Sequence, residues 1–165
     1  ISAVYAIIGH SYPLAVVNAS LVVINIYNLS KLMKAENNNQ YDLICTKTED
    51  SFLNYFLKYY EADSRKYFSE KFLNPLFSEV AYTVCCEGVP AGIFLGKKEA
   101  DGVLSVNVDY TTPVYRDCSV GRFLYSRLKE EGFKKLIYTE VHETHKSYIE
   151  KMGFREENGV YVKEL

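Results

Sequence analysis

The chain has 165 residues, of which 48% are hydrophobic and 24% are charged, and its formal net charge is −2. This is the length of one ordinary domain with a globular composition, which excludes a long disordered tail or a collagen-like repeat. The nearly neutral charge also argues against a nucleic-acid partner, which normally selects a basic face. The charge is unevenly distributed, however, because Lys31 and Lys34 are the only charged residues among the first 35.

Residues 1–35 form a hydrophobic segment for which the sequence predicts a helix. Residues 13–34 are about as long as the ~20 residues that span a bilayer, and they end in two lysines. Four polar residues in this segment would each need a partner in lipid, so a helix buried between protein surfaces is the alternative. They are Asn18, Ser20, Asn25 and Asn28. If the segment spans a membrane, the lysines at its end place the rest of the chain in the cytoplasm as a tethered domain.

The amino-acid sequence of residues 5–32 resembles the last membrane helices of small bacterial inner-membrane proteins of the YgjV type. The resemblance covers this segment alone and includes no catalytic motif. It implies a bacterial protein that contacts the inner membrane through residues 13–34. Residues 35–40 then read as a polar linker, which leaves residues 41–165 as a separate domain.

The four cysteines are predicted to be reduced thiols. Cys45, Cys85, Cys86 and Cys118 have neither the C-x₂-C nor the Cys/His spacing of a zinc site, so no metal is expected. A disulfide between the neighbours Cys85 and Cys86 would be strained, which favours two ordinary strand residues. The sequence therefore indicates a reducing compartment.

The first half of the domain predicts one strand, two helices and a hairpin. Residues 41–46 are a short apolar run that suits a strand, and residues 49–60 and 64–77 repeat apolar residues at helical spacing. Residues 80–86 and 91–97 are rich in β-forming residues and are separated by a turn that contains Gly and Pro.

The next strand is predicted by strict alternation over residues 103–110. One face would carry Leu104, Val106, Val108 and Tyr110, and the other would carry Ser105, Asn107 and Asp109. This strand completes a three-stranded antiparallel meander.

The second half predicts a strand–helix–strand unit. Apolar residues at spacings i, i+3, i+4 and i+8 within 120–128 indicate an amphipathic helix, and Gly132 closes it. Residues 136–141 form the next strand, so the crossover should be right-handed and its two strands parallel. Residues 145–152 predict another helix, and an Asn-Gly pair near the end predicts a hairpin. The domain is therefore of the mixed α/β (α+β) class.

The segment 106–124 is a strand that leads through a loop into a helix. Unpaired amides at a helix N-terminus, together with its dipole, favour a bound anion such as a pyrophosphate. Ser119 and Gly121 supply small residues there, and Arg116 and Arg122 supply positive charge. An ordinary strand–loop–helix turn that binds nothing is the alternative.

The order of elements, with the two motifs Tyr-Arg-x-x-Ser-x-Gly-Arg at 115–122 and Tyr-Ile-Glu-Lys-Met-Gly-Phe at 148–154, resembles the GNAT superfamily of acyl-CoA dependent N-acyltransferases. The resemblance covers residues 41–165. Arg116, Ser119 and Gly121 fall on the acyl-CoA loop of the family. The fold it implies is a mixed, mostly antiparallel sheet with a central βαβ unit whose parallel strands splay apart, preceded here by the hydrophobic helical segment.

The same resemblance implies acetyl-CoA as the co-substrate, lying in the gap between the splayed strands. Main-chain groups of Val108 and Tyr110 would bind the pantetheine arm. Arg116 and the amides at the start of the helix would hold the pyrophosphate, which assigns this role to Cys118, Ser119, Val120, Gly121 and Arg122.

Several residues depart from the pattern of the family. Ser119 stands where the first glycine of the loop is usual, and Asp117 places a negative charge near the expected pyrophosphate. Ile149 stands where many members have a tyrosine general acid. Tyr148 precedes it by one residue, about 100° away around the helix, so it cannot be assumed to replace that tyrosine.

Three side chains are the catalytic candidates. His142 comes first because histidine is a common general base and because this residue follows one of the two strands that flank the gap. Asp109 is second, and Tyr148 is third as a proton donor. The alternatives are a histidine at a helix start and a packed aromatic ring. Tyr110, Glu140, Glu143 and His145 also lie near the same strand ends.

The sequence therefore predicts an N-acetyltransferase that moves an acetyl group directly from acetyl-CoA to a primary amine. The acceptor would be a small molecule or a peptide, and a homodimer is among the expected assemblies. The alternative from another class is a catalytically silent GNAT-like module that binds acyl-CoA or a partner beside a membrane segment. A purely structural protein would give no reason for small and basic residues to gather at one helix start.

Overall fold

The computed structural model describes residues 12–36, 40–116 and 119–165. The chain divides into two compact units, residues 1–40 and residues 41–165. The expected linker falls partly on residues 37–39, which lie outside the described residues, as do residues 1–11 of the hydrophobic segment.

The first unit contains helix α1, Tyr12–Glu36. Within it, the hydroxyl groups of Ser20 and Ser30 donate to the carbonyls of residues one turn earlier, at 2.9 and 2.8 Å. No helix among the described residues is long and apolar enough to cross a membrane, so the span expected over residues 13–34 is not supported. The resemblance to the YgjV type and the tether that it implies stay predictions.

The second unit is built on one seven-stranded sheet in the order β1-β2-β3-β4-β5-β7-β6. The strands are Tyr41–Thr46 (β1), Val80–Cys86 (β2), Val89–Lys98 (β3), Val103–Thr111 (β4), Lys135–Tyr138 (β5), Arg155–Glu157 (β6) and Val160–Glu164 (β7). Neighbouring strands are antiparallel except β4 and β5, which are parallel. This mixed sheet confirms the predicted fold class.

Helices cover both faces of the sheet. They are Ser51–Tyr59 (α2), Glu61–Ser64 (α3), Ser119–Glu130 (α4) and Glu143–Lys151 (α5), with 3₁₀ turns at Pro75–Phe77, Ala100–Gly102 and Pro113–Tyr115. Helix α2 begins where the sequence favours it, because the Asp50 carboxylate accepts the Phe52 amide at 2.7 Å as an N-cap.

The second helix expected in this region, over residues 64–77, is not formed. Helix α3 ends at Ser64, and the chain then makes tight turns in which the amides of Phe72 and Leu73 donate to carbonyls three residues earlier. Tertiary packing overrides the helical periodicity here, since Phe68 is 6% exposed in the core and Pro75 cannot continue a helix.

Strand β4 contains an irregularity that sets the position of the site. Its pairing with β3 joins Leu95 to Val108 and Gly96 to Val106, so Asn107 is an extra residue in β4. The side-chain amide of Asn107 donates to Phe77 O at 3.1 Å and to Ser78 Oγ at 2.8 Å.

This bulge moves the strand's side chains to the opposite face. Leu104 and Val106 pack in the cluster beneath α4 and α5, whereas Val108 and Tyr110 pack in the cluster beneath α2. The expected single apolar face over residues 103–110 is therefore wrong. The residue that follows the shift, Asp109, turns toward the face that α4 covers.

Strands β4 and β5 diverge after a short parallel pairing. Their register joins Val103–Ser105 to residues 135–137, and β5 ends at Tyr138 rather than at the expected residue 141. The second half of β4 therefore borders a gap in the sheet, as the predicted splay requires.

Candidate active site

A cleft of about 280 Å³ opens at the gap between β4 and β5. Its walls come from the segment after α3, from the end of β4 and the loop that follows, and from α5. The described residues that line it are Tyr67, Phe68, Asp109, Tyr110, Thr111, Arg116, Thr144, His145, Ser147, Tyr148 and Lys151. Of the three catalytic candidates, Asp109 and Tyr148 meet in this cleft.

The main chain of β4 presents alternate residues to the gap. The Thr112 amide donates to a β3 carbonyl at 2.9 Å, which fixes the phase of hydrogen bonding between the two strands. Because bonded pairs alternate along antiparallel strands, Val108 and Tyr110 direct their main-chain groups at β3. The main-chain groups of Asp109 and Thr111 face the gap instead, which differs from the sequence-based expectation.

Helix α4 begins beside the cleft. The hydroxyl groups of Ser119 and Tyr41 lie 2.6 Å apart, which ties the start of this helix to β1. The Val120 side chain is 2% exposed and packs in the core, so only its amide faces outward with those of the first turn. Cys118 and Asp117, named in the sequence as loop residues, lie outside the described residues.

Gly121 allows α5 to approach α4 closely. A Cβ atom at this position would lie 2.4 Å from Tyr148 Oη and 2.9 Å from Met152 Cε. Any larger residue would therefore displace the Tyr148 ring. From sequence alone, Gly121 is explained by the close approach of a phosphate. In the structure, Gly121 is needed because the Tyr148 side chain occupies the space of a Cβ atom.

The Asp109 carboxylate is the buried centre of the cleft. Tyr125 Oη and Tyr148 Oη both donate to its Oδ2, at 2.6 and 3.0 Å. Burial raises the pKa of Asp109 to about 6, and the two tyrosine hydrogen bonds oppose that rise by stabilising the ionised form. A carboxyl group with such a pKa can accept or release a proton near neutral pH.

Arg116 points toward the opposite wall of the cleft, not toward the start of α4. Its guanidinium pairs with Asp63, donates to Thr111 O at 3.0 Å and to Tyr67 Oη at 3.2 Å. It also lies 5.1 and 5.4 Å from the ring centres of Tyr67 and Tyr110. The contacts of this side chain therefore belong to the cleft wall, and its expected role at a pyrophosphate stays a prediction.

Asp63 is the carboxylate that holds this wall together. Tyr110 Oη donates to its Oδ2 at 2.8 Å, and Lys66 Nζ lies 3.1 Å from its Oδ1. Burial raises the pKa of Asp63, but the hydrogen bonds from Arg116, Tyr110 and Lys66 outweigh it and lower that pKa to about 2. Asp63 is thus ionised throughout the neutral range.

His142 is the N-cap of α5. Its Nδ1 accepts the Thr144 amide, and its ring is exposed. It does not belong to the described lining of the cleft. The histidine that does line the cleft is His145, one turn along the helix.

His145 is buried among aromatic rings. The ring centres of Phe68 and Tyr148 lie 4.9 and 5.0 Å from its own, and its Nε2 has no hydrogen-bond partner among the described residues. Burial lowers the pKa of His145 to about 4, and the nearby His142 adds to that effect. The imidazole is therefore neutral at physiological pH.

Three residues of the site were not found from sequence. Asp63 falls between the helices expected over residues 49–60 and 64–77, and Tyr67 lies within the second of them. Tyr125 lies within the predicted amphipathic helix, but no role was assigned to it. A signal existed for Tyr125, because it lies four residues after Gly121 on the same side of α4. Asp63 has none, since only the folded turn brings it to the end of β4.

Neither a protein-family model nor a curated protein matches the sequence. Solved structures do match. An acetyltransferase from Thermus thermophilus is 15% identical with a TM-score of 0.57, and the match covers 76% of this chain and 97% of that one. A GNAT-family acetyltransferase from Staphylococcus aureus is 12% identical with a TM-score of 0.55, covering 76% and 99%.

A third match is N-acetylglutamate synthase from Neisseria gonorrhoeae, solved with coenzyme A and N-acetylglutamate. It is 11% identical with a TM-score of 0.52, and the match covers 76% of this chain and 35% of that one. The covered share is about the size of the second unit, residues 41–165, which contains the seven-stranded sheet. This unit therefore has the fold of the GNAT acetyltransferases.

Proposed function

We propose that residues 41–165 form an N-acyltransferase that moves an acetyl group from acetyl-CoA directly to a primary amine. The observation that carries the proposal is the cleft at the gap between β4 and β5, in which a buried carboxyl group and a tyrosine meet beside the start of α4. The solved structures of this fold include one that binds coenzyme A, which supports the same donor here.

The residues present fit a coenzyme A thioester. The main-chain groups of Asp109 and Thr111 face the gap, where an extended amide-containing arm can pair with them as a further strand would. The amides of Val120, Gly121 and Arg122 lie in the first turn of α4, where the amides of a helix face outward and suit a pyrophosphate. Arg122 is exposed near these amides and adds positive charge.

The reaction needs one proton to leave nitrogen and one to reach sulfur. The amine nitrogen attacks the thioester carbonyl carbon, the carbon–sulfur bond breaks with its electron pair on sulfur, and the thiolate takes up a proton. A single carboxyl group that accepts and then returns a proton balances these changes.

Asp109 and Tyr148 are the groups placed to move that proton. Tyr148 is half-buried and lines the cleft, and its hydroxyl lies 3.0 Å from the Asp109 carboxylate. We assign Tyr148 the contact with the reacting atoms and Asp109 the storage of the proton behind it. We assign His142 only the role of N-cap of α5, which its geometry supports.

The acceptor would enter along the wall formed by Tyr67, Phe68 and Arg116. This wall comes from the segment after α3 and the loop after β4. A primary amine on a small molecule or a peptide is the acceptor class that the mechanism requires. A homodimer stays among the expected assemblies.

Calorimetric titration of the full chain with CoA tests donor binding. We expect saturable binding that Ser119→Glu weakens at least tenfold, because it places a negative charge at the first turn of α4. The matched control is Ser51→Glu, an equal charge change at the exposed first residue of α2. Equal affinity of both variants for CoA would place the donor elsewhere.

Release of CoA thiol from acetyl-CoA, followed with a panel of polyamines, amino acids and peptides, tests the transfer itself. At least one acceptor should give release above the background rate of hydrolysis. Saturable CoA binding with no release for any acceptor would favour the catalytically silent module. Absence of CoA binding at millimolar concentration would reject both.

A further inference from the structure

A smaller cavity, here called the inner pocket, lies next to the cleft. It lies between the segment after α3, the loop after β5 and the first turn of α5, and it measures about 130 Å³. A protein cavity of about 150 Å³ can hold one benzene molecule, so the inner pocket has the size of a single aromatic ring. Four of the described residues that line it are themselves aromatic: Tyr67, Phe68, Phe72 and Tyr138.

The inner pocket shares a wall with the cleft. Tyr67, Phe68 and His145 line both cavities. The ring centre of His145 lies 5.0 Å from that of Tyr148, the residue assigned to the reacting atoms. A group in the inner pocket is thus about one helical turn, roughly 5 Å, from the place of transfer. At about 1.5 Å per carbon–carbon bond, a chain of two or three carbon atoms covers this distance.

His145 presents a polar atom that the protein does not satisfy. The residue is 5% exposed, and its Nε2 has no hydrogen-bond partner among the described residues. Native structures rarely leave such an atom unpaired, so a bound group is the expected partner. Because burial lowers the pKa of His145 to about 4, the ring is neutral and has one donor and one acceptor nitrogen. A hydroxyl group both donates and accepts, so it can pair with Nε2 in either tautomer.

The surroundings of the inner pocket favour a neutral group over a charged one. Glu140 is the only acidic residue of its described lining, and the carboxylate pairs with Lys71 Nζ at 2.7 Å. His142 is exposed and caps α5. A charged group would leave water for aromatic walls with no free countercharge, which is unfavourable. The pocket therefore suits a ring that carries a neutral polar group.

We propose that the inner pocket binds an aromatic ring of the acceptor and that His145 Nε2 forms a hydrogen bond with a hydroxyl group on this ring. The acceptor class is then a primary amine joined by a short carbon chain to a hydroxylated aromatic ring. This inference rests on the proposed function, since it places the amine of the same acceptor beside Tyr148. His145 is in this way a specificity-determining residue and carries no proton in the reaction.

Calorimetry of the full chain in the presence of CoA tests the acceptor class. The probes are phenethylamine, its meta-hydroxy and para-hydroxy forms, and hexylamine, which has no ring. At least one hydroxy form should bind about tenfold more tightly than phenethylamine, and phenethylamine more tightly than hexylamine. In His145→Phe the advantage of the hydroxyl group should disappear, because the ring remains and the nitrogen is lost. The control Tyr55→Phe removes a polar atom from an exposed ring of α2 and should keep the advantage.

A second variant fills the inner pocket. Val141 lines it and packs against the core, so Val141→Trp places a large ring in the space of the ligand. We expect the affinity for the preferred hydroxy form to fall at least tenfold, while the affinity for CoA and the Tm stay near those of the wild type. The control Val89→Trp makes the same change at an exposed position of β3 and should keep all three values.

The outcomes separate this inference from the proposed function. Equal binding of hexylamine and the aromatic amines would overturn the inference, and so would a hydroxyl advantage that survives in His145→Phe. Release of CoA thiol only with acceptors that lack a ring would also overturn it, although the proposed function would stand. If the aromatic amines bind as expected but CoA does not bind, the proposed function fails, and the inner pocket is supported as a site for such amines.

Discussion

Burial of Asp109 couples the stability of the domain to pH. Because the pKa rises from 3.8 to about 6, the native state holds a proton between these pH values that the unfolded chain has released. The free energy of unfolding therefore falls as pH rises from about 4 to about 6 and levels off above. The total change from this group is about 3 kcal/mol, at 1.36 kcal/mol for each pH unit.

Asp109→Asn should remove this pH dependence and the activity together. An amide oxygen can still accept the hydrogen bonds of Tyr125 and Tyr148, and it carries no charge to bury. At pH 7.5 we expect the variant to be more stable than the wild type by about 1–3 kcal/mol, with the difference shrinking toward pH 4. Urea unfolding at both pH values measures this. The exposed control Asp101→Asn should follow the wild type, and a variant less stable at pH 7.5 would contradict the buried charge.

Tyr148→Phe and Tyr125→Phe separate catalysis from the environment of Asp109. Both remove a hydroxyl that donates to the Asp109 carboxylate, but only Tyr148 lines the cleft. We expect Tyr148→Phe to lower kcat by roughly 10²-fold or more, with little change in CoA affinity. Tyr125→Phe should keep most of kcat and move the acidic limb of the pH profile to higher pH, since the ionised form loses a donor. Equal losses of kcat would assign Tyr148 a packing role.

At the scale of elements, the turns and helix ends that depend on a few neighbouring residues could be predicted from the sequence. The Asn158-Gly159 turn between β6 and β7 could be predicted because this pair tolerates positive φ at both positions. In the structure the two φ angles are 51° and 81°. The end of α4 was likewise marked by Gly132. The sheet class, the antiparallel meander and the splay followed from the order of elements and the family resemblance.

The bulge at Asn107 could not be predicted from the local sequence. Apolar and polar residues alternate without interruption through β4, so periodicity places Asp109 on the same face as Ser105. The neighbours Leu95 and Gly96 of β3 pair with Val108 and Val106, so Asn107 is an extra residue and the faces of β4 are reversed beyond it. The buried position of Asp109 is thus a consequence of strand pairing rather than of local sequence.

The packing of α5 on α4 depends on Gly121. In Gly121→Ala the new methyl group meets Tyr148 Oη at 2.4 Å, so we expect a loss of about 1–3 kcal/mol in stability and a large loss of activity. Adding Tyr148→Phe removes the clashing oxygen and should restore part of the stability without restoring activity. Urea unfolding of the four corners of this cycle measures the coupling, and Ser126→Ala on the same helix is the control. Additive effects would show that the tyrosine is not what Gly121 accommodates.

At the scale of the whole molecule, the sheet and its two apolar clusters are built from residues 41–165. One cluster joins α2 to the sheet through Leu53 and Phe56, and the other joins α4 and α5 through Leu124 and Ile149. All the described members of both clusters belong to this unit. A domain that buries its own core on both faces of a sheet can fold by itself.

A chain of residues 38–165 should therefore fold and bind CoA without the hydrophobic segment. We expect its Tm to lie within about 3 °C of the full chain, which corresponds to about 0.8 kcal/mol for a domain of this length. Far-UV circular dichroism during heating measures the Tm, and calorimetry with CoA measures the affinity, for which the full chain is the control. An insoluble or unfolded shortened chain beside a well-behaved full chain would show that the first 35 residues complete the core. In that case the uneven charge of the sequence would mark a helix that the domain needs for folding.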